Sequence, residues 1–243
     1  MRPFIKICLL LLSVIEFSVG FSVDSPSRDR VLIKTTRRKA ALYSDDDNAR
    51  SSFGTKEYWD ELYLGRGDFP ADEYSWYFGW DTYDKFVRQY VPKTDAEILI
   101  PGIGNDPILL DLLQAGYTKL TAGDYSEHAI ERQVDLLSYE QAPAADTIEL
   151  VTMDARQMNP DWTNRFDAVL EKGALDAIFL SGDGNLESTV AELERVIKPG
   201  GVLISVSGVV PEDLRKEVFR DWTWVRDGSN DLKAGCFVLQ RPI

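Results

Sequence analysis

The 243-residue chain is short of the residue types on which several kinds of chemistry depend. It has one histidine, His128, so His-based metal sites and Ser-His-Asp triads have little to draw on, and no metal is expected. Cysteine occurs twice, at Cys8 in an N-terminal apolar run and at Cys236 near the end. Removal of the leader would leave one thiol and no internal disulfide, which favours a reducing final compartment. No apolar run approaches the ~20 residues of a membrane helix, and the run Ile7 to Ile15 spans only nine. Positive charge is scarce as well, with 27 Lys+Arg against 40 Asp+Glu for a net of −13. The deficit is concentrated: residues 53–243 hold 18 bases and 34 acids. Such a body repels nucleic-acid phosphates and anionic lipid, so neither nucleic acid nor membrane is an expected partner of the mature form. Small molecules and basic protein surfaces remain. What is present, 44% apolar and 28% charged residues, is the make-up of a soluble globular domain.

The first fifty residues read as an address. Arg2 and Lys6 precede the apolar run, and Ser18 and Gly20 follow it, which is the shape of a signal peptide over 1–20. From Phe21 to Ser44 there are six bases, two acids and several hydroxyl residues, a transit-like composition, and an acidic linker runs from Ser44 to Ser52. The pair, with cleavage expected at Phe21, resembles the two-part plastid presequence of algae with extra plastid membranes. Organellar delivery is therefore expected; plain secretion and a mitochondrial presequence stay open.

From Phe53 onward strands and helices alternate in one expected domain, 53–243. A helix-like stretch closes at Val91-Pro92. Strands are expected at 97–100, 120–123, 148–152, 166–170 and 202–207, and helices from Asp106-Pro107 to about 115, 126–139, 186–197 and 211–219. Lys198-Pro199-Gly200-Gly201 reads as a helix stop. Segments 223–225 and 236–239, joined by a polar turn, read as a hairpin. The order implies an α/β, Rossmann-like doubly wound sheet, mostly parallel, with seven strands and an antiparallel C-terminal hairpin. An aromatic-rich helical cap precedes it.

In such sheets ligands sit at the carboxyl ends of the strands. The first strand ends in Gly102-Ile103-Gly104, where missing side chains let a ligand approach the backbone, and Asp124 follows 22 residues after Gly102, at the end of the second strand. An acid there can accept from both hydroxyls of a ribose. A pyrophosphate is disfavoured, because Asp106 stands where it would lie at the helix start. A nucleoside without phosphate meets no such obstacle. Asp154, after the third strand, could accept from an adenine amine or simply cap a helix.

These residues resemble the seven-strand S-adenosylmethionine-dependent methyltransferases. More narrowly, the chain is similar to the group that contains the lysine methyltransferases of elongation factor 1-alpha and of citrate synthase. The matching pieces are EYWDELY (57–63), YSWYFGW (74–80), ILIPGIGN (98–105), AGDYSEHAI (122–130), TMDARQM (152–158), FDAVLEKGALDAI (166–178) and ELERVIKPGGVLISVS (192–207). The resemblance implies S-adenosyl-L-methionine as cofactor. It places Trp59, Tyr63, Trp76, Gly102, Gly104, Asp124, Tyr125, Asp154, Ala155 and Lys172 around it. Pro101 and Asp106 depart from the family pattern, which has a small or aliphatic residue and often Ser there.

Thirteen of the 27 aromatics fall between Phe53 and Tyr90. Most of them cover the sheet; Trp59, Tyr63 and Trp76 could also face a sulfonium cation, at about 0.5–2 kcal/mol each. Glu171-Lys172 comes right after the fourth strand, either as a surface pair or beside the transferred group. Glu171, Asp176 or Tyr77 could orient an incoming amine, with alignment supplying most of the acceleration. His128 is expected on the surface. The function expected is methyl transfer to a protein lysine on a basic surface. A small-molecule O-, N- or S-methyltransferase and a non-catalytic cofactor-binding module are the alternatives.

Overall fold

A computed structural model of the chain describes residues 52–67, 69–140, 145–182, 184–231 and 233–243. The signal-peptide and transit-like readings fall on 1–51, outside the described residues.

A four-residue strand β1 (Ile98–Pro101), buried throughout, lies third in a seven-stranded sheet. The other strands are β2 (Leu120–Asp124), β3 (Glu149–Thr152), β4 (Phe166–Lys172), β5 (Ile197–Ser207), β6 (Thr223–Arg226) and β7 (Gly235–Gln240), in the order 3-2-1-4-5-7-6. Strands β1 to β5 pair in parallel. Only β7 runs against its neighbours, between β5 and β6, as expected of a hairpin folded back onto the sheet. The strand order reverses between β1 and β4, which opens a crevice at their carboxyl ends.

Helices cover both faces. On one lie α2 (Trp80–Tyr90), α3 (Ile108–Gln114) and α4 (Glu127–Tyr139), which bury Tyr83, Phe86, Val87, Leu109, Leu112 and Leu137 against β1, β2 and β5. On the other lie α5 (Ala174–Leu180), α6 (Asn185–Val196) and α7 (Glu212–Val218). The helical period is plain in α6, where Leu186, Thr189, Val190, Leu193 and Val196 form one buried stripe. The cap is α1 (Lys56–Tyr63), which packs on α4 through Leu62, Tyr63 and Ala129.

Three expectations needed correction. Lys198-Pro199-Gly200-Gly201 does not separate a helix from a strand. Strand β5 already begins at Ile197, paired with Phe166, and the four residues form a bulge before Val202 pairs with Ala168. Gly200, at φ +76°, makes the excursion possible. Helix α5 went unexpected, because ALDAIFL is too short and too uniformly apolar to show a period. Asp106-Pro107 precedes α3 rather than opening it. Even so, the Asp106 carboxylate accepts from the Ile108 N–H at 3.0 Å and caps the helix as expected of an aspartate there.

Candidate active site

The turn after β1 is built to exclude side chains. Gly102 and Gly104 have φ of +65° and +55°. A Cβ on Gly102 would stand 2.6 Å from Ala174 Cβ, and one on Gly104 would stand 2.7 Å from the Tyr63 hydroxyl. Buried Gln133 on α4 pins the turn from behind, donating to the carbonyls of Gly104 (2.8 Å) and Asp106 (3.0 Å). Asn105 ties the turn to the loop before α2: its amide donates to the Pro70 (3.0 Å) and Asp72 (2.5 Å) carbonyls, and its own carbonyl accepts from Tyr74 N.

Asp124 ends β2, 4% exposed. Its Oδ2 accepts from the Gly104 N–H at 3.0 Å and its Oδ1 from the Ser126 N–H at 2.9 Å. A carboxylate has about four acceptor positions, so two remain, the capacity needed for two hydroxyls. Burial pushes its carboxyl up to about 6. Neighbouring Tyr125 is half-buried, with the Lys56 ammonium 6.0 Å from its ring centre. Helix α1 is tied down beside this acid, since Ser126 Oγ donates to Asp60 at 2.6 Å. Above the turn Trp59 stacks on Tyr63 at 6.0 Å and meets Trp76 edge-on at 5.8 Å.

Asp154 and Ala155 follow β3. Asp154 neither opens a helix nor stands alone. It anchors the turn to Gln157 and accepts from Arg156 through Nε, Nη2 and the backbone N–H, with a closest approach of 2.6 Å. The guanidinium holds its carboxyl below the usual range. An adenine amine would have to share that carboxylate with Arg156.

The pair Glu171-Lys172 separates, because successive strand residues face opposite ways. Lys172 turns to the α2/α3 side, where Nζ meets Asp106 Oδ2 at 2.5 Å and donates to the Phe78 carbonyl at 2.8 Å. This buried pair accounts for the unusual Asp106. Beside it, against Tyr83 and Gly102, a cavity of about 20 Å³ has room for one water. Glu171 turns to the other face, 1% exposed, and accepts from Ser205 Oγ and from Leu175 N at 3.2 Å. Burial first, and then nearby Asp176, pushes its carboxyl up to about 8.

Asp176, on the first turn of α5, collects five donors: the hydroxyls of Tyr77 and Ser207, and the N–H groups of Gly208 (2.9 Å), Val209 (3.1 Å) and Val210 (3.0 Å). Five donors fill its acceptor capacity, so an incoming amine finds no place on it. Tyr77 itself stands at φ +65°, with its ring between Gly173 and Gly208; a Cβ on Gly208 would come within 3.0 Å of that ring. Of the three residues expected to orient an amine, Tyr77 and Asp176 are joined directly, and Glu171 lies buried beside them.

The sequence reading missed Gln133, Ser207 and Arg215. Arg215 left a signal: it stands four residues before the buried Phe219, on the buried side of α7. Expected on the surface, His128 is half-exposed on α4, 3.0 Å from Glu131.

The donor set suits a nucleoside with a cationic sulfur: spare acceptor positions on Asp124, a turn without side chains, and aromatic faces above it. Residues 99–205 match the model of a methyltransferase domain. The chain is 30% identical over 185 residues to the Danio rerio EEF1A lysine methyltransferase 2, covering 72% of this chain and 77% of that protein. It is 31% identical over 181 residues to the Saccharomyces cerevisiae protein-lysine N-methyltransferase EFM4, covering 66% of this chain and 77% of that one. Its fold is shared with the Burkholderia thailandensis 1,6-didemethyltoxoflavin-N1-methyltransferase, solved with S-adenosylhomocysteine, at a TM-score of 0.58 and 17% identity over 91% of this chain and 94% of that one. By sequence and by fold, the chain belongs to the class I S-adenosylmethionine-dependent methyltransferases, in the branch that holds the EEF1A lysine methyltransferases.

Proposed function

We propose that the chain methylates a lysine side chain of a protein, with S-adenosylmethionine as methyl donor. The observation that carries this reading is the placement of two polar systems at one end of the sheet: Asp124 and the glycine turn on β1 and β2, and the Asp176–Tyr77 pair beyond β4 and β5. The first is suited to a ribose; the second presents a phenol beside where an acceptor would enter. The names of the similar proteins add the lysine.

The bound cofactor supplies a methyl group on a sulfonium, a strong electrophile. Asp124 accepts the ribose hydroxyls, and Gly102 and Gly104 admit the cofactor to the backbone. Tyr125, Asp154 and Ala155 would flank its base, and Lys172, paired with Asp106, would stand toward its methionine end. Trp59, Tyr63 and Trp76, packed on one another, would cover it and keep water away from the sulfonium. Tyr77 accepts an N–H of the lysine amine and aligns it, so that positioning lowers the barrier. The acidic body favours a basic target surface.

The leader supports delivery to an organelle, so the acceptor belongs to that compartment. Residues 45–243, incubated with labelled cofactor and extract of the source cell, are expected to label protein at lysine. Label recovered only in the small-molecule fraction would overturn the reading.

A further inference from the structure

Arg215 is 5% exposed, and its guanidinium lies 3.8 Å from the centre of the Phe237 ring on β7. Its Nη2 donates to Ser207 Oγ at 2.8 Å and to the Val210 carbonyl at 2.7 Å. Among the described residues, Nε and Nη1 have no hydrogen-bond partner. A buried cation with two idle nitrogens is a costly way to hold one loop. What it supplies that a neutral residue cannot is charge and direction.

A guanidinium only donates. Ser207 Oγ must therefore accept from Arg215, and its single hydrogen goes to Asp176 Oδ1. Asp176 already accepts from Ser207 and from three backbone N–H groups, and the Tyr77 hydrogen is committed to its Oδ2. The phenol oxygen then keeps its lone pairs for a donor. The charged groups around this chain are Glu171 from β4, Arg215 from α7 and Asp227 from the turn between β6 and β7. Of the three carboxylates that act on this cation, Asp176 and Glu171 are buried with it, and burial raises the Glu171 carboxyl to about 8.

We propose that Arg215 is a positioning residue that sets the direction of the chain Ser207–Asp176–Tyr77, so that the Tyr77 oxygen accepts an N–H of the methyl acceptor. The last step rests on the lysine reading above; the direction of the chain does not. Without the guanidinium, nothing obliges Ser207 Oγ to accept on that side, its hydrogen is free to turn away from Asp176, and the phenol no longer presents a fixed acceptor.

The test compares Arg215→Met, Arg215→Lys and Ser207→Ala in the full domain, by steady-state kinetics and by the 13Cζ resonance of Tyr77, assigned from its loss in Tyr77→Phe. Arg215→Met is expected to lower kcat about tenfold or more, to leave the cofactor KM within about twofold, and to shift the resonance. Arg215→Lys, which keeps charge and donor-only character but not the planar stack on Phe237, is expected to recover kcat to a level clearly above that of Arg215→Met and to return the resonance toward its wild-type place. An unmoved resonance in Arg215→Met, or an Arg215→Lys variant as impaired as Arg215→Met, overturns the proposal. Should Arg215→Met fail to fold, Ser207→Ala decides: it leaves the packing and is expected to move the resonance the same way, and no movement overturns the proposal. The resonance needs no acceptor. A wild-type protein that methylates no lysine, while Arg215→Met still moves the signal, overturns the lysine reading and leaves the direction of the chain supported.

Discussion

Two buried aspartates end up at the same edge of the sheet with opposite states of occupancy. Asp124 takes one backbone N–H on each oxygen and keeps room for two more donors. Asp176 takes three backbone N–H groups and two hydroxyls and is full. Both are acids near strand ends, and burial alone would not separate them, at 4% exposure each. The difference teaches that a buried acid's role is read from the acceptor capacity it has left. Asp124 has room for a ligand; Asp176 holds the loop 208–210 and the Tyr77 hydroxyl.

The largest effect should come from emptying the full acid. Asp176→Ala leaves three N–H groups of the β5–α7 loop without their acceptor, and is expected to cost about 3–5 kcal/mol in urea unfolding. A loss under ~1 kcal/mol would erase the contrast. Asp124→Ala should instead spare most of the fold and strike the ligand. Loss of two charge-assisted hydrogen bonds, about 3 kcal/mol, is expected to weaken cofactor binding about a hundredfold by calorimetry. Undiminished affinity would remove Asp124 from the site.

Next comes pH. If Asp124 holds the cofactor hydroxyls, as proposed, binding needs its carboxylate, and burial pushes that carboxyl up to about 6. Affinity is therefore expected to be full above pH 6 and to fall about tenfold per pH unit below it, and Asp124→Asn should lack that dependence. Glu171 has the opposite bearing, on stability. Its raised carboxyl, about 8 against an ordinary 4.5, means that the fold holds its proton more tightly than the unfolded chain does. That contribution is fully present below about 4.5 and is lost as pH rises through 8. The unfolding free energy of Glu171→Gln, followed from pH 5 to 8, should fall less steeply than that of the wild type. The smallest effect belongs to the exposed pair: Arg156→Ala frees Asp154 and is expected to change stability by less than about 1 kcal/mol, and cofactor affinity by less than about threefold.

Much of this comparison was legible beforehand. The spacing of Gly102, Gly104 and Asp124 marked the ligand side, because strand, glycine turn and acid follow one another in the chain and their chemistry is local. Glu171, Asp176 and Tyr77 were legible as types but not as roles. Nothing in the order of residues says that Glu171 faces Ser205 while Lys172 faces Asp106; strand alternation separates them, and the partners arrive from elsewhere. The bulge at Lys198–Gly201 was misread for a related reason. Proline and glycines signal an interruption, and only the ladder with β4, which pairs Ile197 before it and Val202 after it, shows that β5 continues through it.

By itself, the sequence determined the sheet's order of elements, the apolar stripes, the lopsided charge and the residues that belong to the glycine turn, since each depends on neighbours a few positions apart. Tertiary structure alone decided which buried acid is full and which has room, and that Arg215 lies behind Ser207 and Asp176. Hydrogen-bond capacity is spent between residues as far apart as Tyr77 and Asp176, 99 positions along the chain, and only the folded sheet brings such donors and acceptors within reach.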